Sequence, residues 1–209
     1  AAKEAGDEVI CILIASKLSG TYQGAMLAKQ IVDYDGIHVI DAGHAAASVA
    51  EKMLVIAACR MRDQGCTAEE ITRRLEQLRG SVRLIACLDT LEYLARGGRL
   101  PAAVASIGTK LQLKPIIVFG ENGEIQVVKK CMGSKRAMRD MTEMVTECGI
   151  NPEYPVIPIF AQNDRNCQEY VASLKNAGCV GAMQAPQGIG ATIGSYIGPG
   201  GYGIVFVEK

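Results

Sequence analysis

The chain has 209 residues, 49% apolar and 21% charged, and its 22 lysines and arginines balance its 22 aspartates and glutamates. With no net basic charge, three Phe and no Trp, it has neither the electrostatic footprint nor the stacking platforms of a nucleic-acid binder. The length suits one large domain or two small ones, and two are expected.

Cys11, Cys59, Cys66, Cys87, Cys131, Cys148, Cys167 and Cys179 are scattered without a CxxC or metal-type spacing, so they read as reduced thiols rather than a disulfide framework. No signal peptide and no bilayer-length apolar run is apparent, which predicts a cytoplasmic protein without a membrane span.

The run EVICILIA (8–15) is almost wholly apolar, as expected of a strand in a parallel sheet. SKLSGTYQGA follows, and a helix should start there, with Tyr22, Ala25, Met26 and the 29–32 stretch as its apolar stripe. Asp35-Gly36 turns the chain into a second strand, IHVID, which ends at Asp41 and completes a βαβ unit.

Residues 45–64 have helical spacing through Val49, Met53, Ile56 and Ala57. Thr67 and Glu70 form a capping box for a further helix whose face is Ile71, Leu75 and Leu78, and Gly80 stops it. The domain boundary falls there, giving domains 1–80 and 81–209.

VRLIACLD (82–89) begins a strand in a more antiparallel part of the chain. KPIIVFGENGEIQVVKK reads as a hairpin turning through Glu121-Asn122-Gly123, because Asn-Gly tolerates positive φ. A helix over 134–148, a strand in VIPIFAQ and a helix over 164–176 follow. Pro155 and Pro158 argue that this strand starts late or lies at an edge. IGSYIGPGGYG (193–203) is too rich in glycine for a regular helix, and GIVFVE closes the chain as a strand.

The candidate sites follow from this layout. Ser16, Ser19, Gly20 and Thr21 supply more hydroxyls than one helix cap requires, at a helix opening whose free N–H groups and dipole favour an anion. Simple capping is the alternative. Arg96 and Arg99 flank a double glycine and suit an anionic ligand or partner, or plain solvated surface. His38 is a strand residue, and His44 is a weaker cleft candidate. Neither has the neighbours of a triad or metal site, and no carboxylate pair marks a general acid and base.

Read in order, SKLSGTYQGA, VIDAGHAAAS, LEYLARGGRL, IGTKLQLKPIIVFGENGEI, KRAM and IGSYIGPGGYG resemble the DegV family of fatty-acid-binding proteins, which includes acyl-carrier subunits of bacterial fatty acid kinase. The series, over practically the whole chain, carries the resemblance. It implies two α/β domains, the first with a mainly parallel sheet and the second with a mixed or antiparallel one. A long-chain fatty acid would lie in an apolar tunnel in the cleft between them.

The resemblance places the carboxylate at Ser16, Leu18, Ser19, Gly20, Thr21 and Tyr196. His44, Arg96, Arg99, Ile107, Leu111 and Met132 would meet the tunnel or a partner. Such a protein would be a carrier without a cofactor, able to offer its ligand to a separate ATP-dependent kinase that does the catalysis.

Three departures stand out. The family's opening strand and Thr-Ser loop have no counterpart, so the first sheet is expected to be incomplete. Met132 replaces a usual arginine, and Tyr196 a usual histidine. The rival reading is an enzyme acting on a small phosphorylated or carboxylated metabolite in an α/β cleft, and a third is a scaffold that binds nothing. The carrier requires a narrow apolar tunnel ending at Ser16, the enzyme a titratable base beside the hydroxyls.

Overall fold

The computed structural model describes residues 1–100, 104, 113–179 and 181–209. The chain divides into two compact units, Ala1–Val82 with Gly120–Glu124, and Arg83–Phe119 with Ile125–Lys209. The division in sequence thus falls two residues after the expected boundary at 80. In addition, the tip of the hairpin, expected in the second domain, belongs to the first unit because it packs on Ala15 and Gly43.

In the first unit, a short helix α1 (Ala2–Ala5) precedes β1 (Val9–Leu13), α2 (Thr21–Val32) and β2 (Ile37–Asp41). β1 and β2 pair in parallel, from Val9 opposite Ile37 to Leu13 opposite Asp41, and make a sheet of two strands among the described residues. The βαβ unit expected from the apolar runs is therefore present. β1 stops at Leu13, short of the full apolar run, because the chain turns at Ala15.

The helix expected over 45–64 is α3 (Val49–Asp63), preceded by a separate 3₁₀ turn at Gly43–Ala45. Between them Ala46 and Ser48 have φ of 43° and 58°, which breaks the helical path. α4 (Ala68–Leu78) opens on the expected capping box: Thr67 accepts from the Glu70 amide at 3.2 Å, and Glu70 accepts from the Thr67 amide at 3.0 Å. α3 and α4 pack on β1 and on each other, burying Met53, Leu54, Ile71 and Leu75.

Among the described residues, the second unit is built on one mixed seven-stranded sheet. Its strands are β3 (Val82–Cys87), β4 (Leu113–Phe119), β5 (Ile125–Met132), β6 (Pro155–Phe160), β7 (Ala182–Met183), β8 (Gln187–Gly188) and β9 (Tyr202–Val207). The order is β5-β4-β3-β9-β6-β7, with β8 also on β6. β3 to β4, β4 to β5 and β6 to β9 are antiparallel, whereas β7 and β8 run parallel to β6. Helices in it include α5 (Glu92–Arg96), α6 (Ser134–Cys148), α7 (Arg165–Asn176) and α8 (Ala191–Ile197). Tyr170 and Tyr202, with ring centroids 5.6 Å apart, stand in a core shared with Met141, Ile204 and Phe206.

Two expectations are corrected here. β6 begins at Pro155 and is an interior strand, paired with β7 from Pro155 and with β9 from Ile157, despite its prolines. The carbonyls of Val156 and Phe160 accept from Gln184 and Ile189 on one side, while the Ala161 amide donates to Gly201 on the other. Strand alternation therefore points Pro158 toward the β7 and β8 side, into the gap between their two short pairings, where no ladder N–H is needed. Likewise, IGSYI is helical, as the end of α8, and only from Gly198, at φ 77°, does the glycine run become a turn.

All eight thiols are free. Burial pushes the Cys87 and Cys167 thiols up to about 12 and Cys131 up to about 11, so they stay protonated and unreactive at neutral pH. A short iodoacetamide pulse at about pH 8 should label exposed Cys59 first and spare these three until the protein is unfolded, as read by peptide mass spectrometry. Equal labelling of Cys59 and Cys167 in the native protein would contradict the packing.

Candidate functional site

The corner between β1 and α2 is built from two loops held by one carboxylate. Asp41 ends β2, and its Oδ1 accepts from the Ser16 amide at 3.1 Å and from the Gly43 amide at 3.0 Å. The second bond is an Asx turn of the kind short acidic side chains form after a strand. The Asp41 carbonyl is in turn held by Arg79 Nη1 at 2.9 Å. Both loops leave the carboxyl ends of parallel strands, where α/β sheets characteristically place ligand sites.

Within the first loop, the Ala15 carbonyl accepts from the amides of Leu18 (2.9 Å) and Ser19 (3.2 Å), and the Ala15 amide donates to Ala46 O at 2.8 Å. Ser19 Oγ and Thr21 Oγ1 bond each other at 2.8 Å, and Ser19 Oγ also accepts from the Thr21 amide at 3.3 Å. Of the two hydroxyl protons one is shared within this pair and the other can point outward. Among the described residues, Ser16 Oγ and the amides of Gly20, Tyr22 and Gln23 have no partner. They stand among the uncommitted donors of the corner, at a helix with no acidic residue in its first turn and no side chain on its cap.

This redistributes the sequence-predicted roles. Ser16 and Gly20 keep uncommitted donors, whereas the Leu18 and Ser19 amides and the Ser19–Thr21 pair spend their bonds mainly on shaping the loop. Tyr22 and Gln23 were not anticipated as donors, although any helix leaves its first amides unbonded. Asp41 and Arg79 were missed as braces. The Asp-Ala-Gly sequence was the available signal for the first, while nothing local marks the second. His44 lies half-buried in the 3₁₀ turn whose first amide Asp41 holds.

In the second unit the structure brings Tyr196 and Arg99 together, with the guanidinium carbon 4.9 Å from the centroid of the Tyr196 ring. Arg99 Nη1 also donates to Gly97 O at 2.7 Å. Arg96 is not part of this group and pairs with Glu92 on the exposed face of α5. Met132, 64% exposed, ends the edge strand β5. Ile107 and Leu111 lie outside the described residues. A cavity of about 650 Å³ in the first unit, lined by Ile10, Ile12, Val55, Cys59 and Ile71 among others, includes none of the residues 16–21.

Compared with known proteins, all of residues 1–209 match the family profile described as an uncharacterised protein of the DegV family. The chain belongs to the DegV family. A DegV domain-containing protein of Caldanaerobacter subterraneus is 36% identical over 204 residues, covering 97% of this chain and 71% of that protein. Among solved structures, a fatty-acid-binding DegV family protein of Thermus thermophilus is 28% identical with a TM-score of 0.85, over 97% of this chain and 71% of that one. A DegV lipid-binding protein of Thermotoga maritima is 27% identical with a TM-score of 0.82, over 97% and 69% respectively. Among the described residues this chain has an α/β fold with a small parallel sheet and a larger mixed one.

Tyr196 owes its place to a glycine. Gly97, at an ordinary helical φ of −75°, has no room for a Cβ, which would overlap the Tyr196 ring. Gly97→Ala should destabilise the protein by about 1–3 kcal/mol in urea denaturation, as overpacking does, and Tyr196→Ala in the same background should remove most of that cost. Additive effects of the two substitutions would contradict the contact.

Proposed function

We propose that this DegV protein binds a long-chain fatty acid and holds its carboxylate at the corner of Ser16, Gly20, Tyr22 and Gln23. The observation that carries the reading is the uncommitted donor set at the start of α2. A carboxylate is an acceptor only, with room for several donors on two oxygens, and it matches an uncapped helix end bearing about half a positive charge. Taking a carboxylate from water costs several kcal/mol unless donors replace the water, while each buried methylene returns about 0.8 kcal/mol. A few well-placed donors therefore suffice to let a long chain drive binding. The lipid-binding relatives of Thermus and Thermotoga support the same ligand class.

In this proposal the protein is a carrier, and any chemistry on the carboxylate belongs to a separate ATP-dependent fatty acid kinase. The chain carries no phosphate-cradling glycine-lysine motif of its own. Tyr196, half-buried under Arg99, is proposed as a hydrogen-bond donor to lipid or partner, and His44, Arg96 and Met132 as further contacts for either. The rival enzyme needs a titratable base beside the hydroxyls. Asp41, the carboxylate built into this corner, spends one oxygen on two backbone amides and acts as a brace.

Mass spectrometry of lipid extracted from the purified protein should recover a fatty acid. Ser16→Ala removes a hydrogen bond to a charged group and should weaken oleate binding by about tenfold or more, with little change for oleyl alcohol. Unchanged oleate affinity would contradict the head-group assignment, and binding of neither ligand by the unmutated protein would contradict the function.

A further inference from the structure

We propose that Gly123, at the tip of the hairpin between β4 and β5, is a positioning residue for the head-group corner; the inference rests on reading that corner as a carboxylate site. Ala15 is the node from which the corner hangs. It is fully buried, its amide is fixed on Ala46 O, and its carbonyl holds the amides of both Leu18 and Ser19. Ser16, the next residue, carries the uncommitted hydroxyl. Any displacement of Ala15 is therefore passed to Ser16 and to the turn that leads into α2.

The methyl group of Ala15 rests against Gly123. A Cβ on Gly123 would overlap the Ala15 Cβ outright and would stand 3.0 Å from the carbonyl oxygen of Gly43. From the other side, a Cβ on Gly43 would stand 3.0 Å from the carbonyl oxygen of Glu121. The tip thus meets both of the loops that Asp41 ties together.

The tip is itself held by hydrogen bonds. The Gly123 amide donates to Gly120 O at 2.9 Å, the Gly120 amide to Glu124 O at 3.0 Å, and the Asn122 amide to Glu124 Oε2 at 3.2 Å. With φ at +80°, Gly123 holds a conformation that residues with a Cβ adopt only under strain. The hairpin tip is a stop of fixed thickness, and it sets where the Ser16 hydroxyl stands relative to the amides of Gly20, Tyr22 and Gln23.

A stop of this kind acts on the head group and not on the chain of the ligand, which gives the test its readout. Affinities for oleate and oleyl alcohol are measured by titration for the unmutated protein, Gly123→Ala, Ala15→Gly and the double variant. The preference for acid over alcohol should fall by about tenfold in Gly123→Ala, the size of one hydrogen bond to a charged group. Ala15→Gly in that background removes the overlap but not the strained φ, so it should restore most of the preference while the melting temperature stays low.

If Gly123→Ala does not fold, Ala15→Gly alone carries the test, because it opens a gap at the same contact and should lower the preference in the same direction. Equal loss for acid and alcohol, or an unchanged ratio in both single variants, would overturn the positioning role while leaving the carboxylate site standing. An unmutated protein without preference for oleate over oleyl alcohol would overturn the site, and this inference with it.

Discussion

One carboxylate oxygen organises the candidate site. Asp41 Oδ1 accepts from Ser16, 25 residues earlier in the loop after β1, and from Gly43 in the loop after β2, so two loops distant in sequence are pinned to one point. Bonds from amides to an ionised acceptor are stronger than neutral ones, and this pair sits at the carboxyl end of the only two strands described in that sheet. Without it the Ser16 loop would be tied mainly through Ala15, and the spacing between its hydroxyl and the start of α2 would have little to fix it.

The corner so fixed is a place of surplus donors. A helix must begin somewhere, and its first amides are ordinarily satisfied by a side-chain cap or by water. Here the cap position is Gly20, which has no side chain, and the nearby hydroxyls of Ser19 and Thr21 bond each other. The helix that follows buries none of its residues fully. The same sequence that makes a poor cap leaves an opening for an anion, which is what the proposed fatty-acid head group requires.

Much of the scaffold was legible because it rests on local rules. The capping box at Thr67 and Glu70, the Asn122-Gly123 hairpin and the apolar runs of β1 and β2 each follow from a few adjacent residues. The failures share a cause in long-range context. Pro158 is tolerated in an interior strand because the neighbouring strand is split in two at that point, which nothing near residue 158 announces. Ala46 and Ser48 hold strained φ values where helical spacing alone predicted a continuous helix. At the site, the hydroxyl cluster announced itself, but the division of labour within it did not. That Ser19 and Thr21 shape the loop while Gly20, Tyr22 and Gln23 offer donors is a matter of geometry, and the fit of Gly123 against Ala15 joins residues over a hundred positions apart.

In the proposed complex, free amides at the start of α2 and the Ser16 hydroxyl solvate a carboxylate. Amide proton and nitrogen shifts, followed by NMR as oleate is added, test it most directly. The account predicts that the amide protons of Gly20, Tyr22 and Gln23 move downfield as they begin to donate to a charged acceptor, and that oleyl alcohol, though bound, leaves them nearly in place. Saturable oleate binding with those three amides unmoved would contradict it.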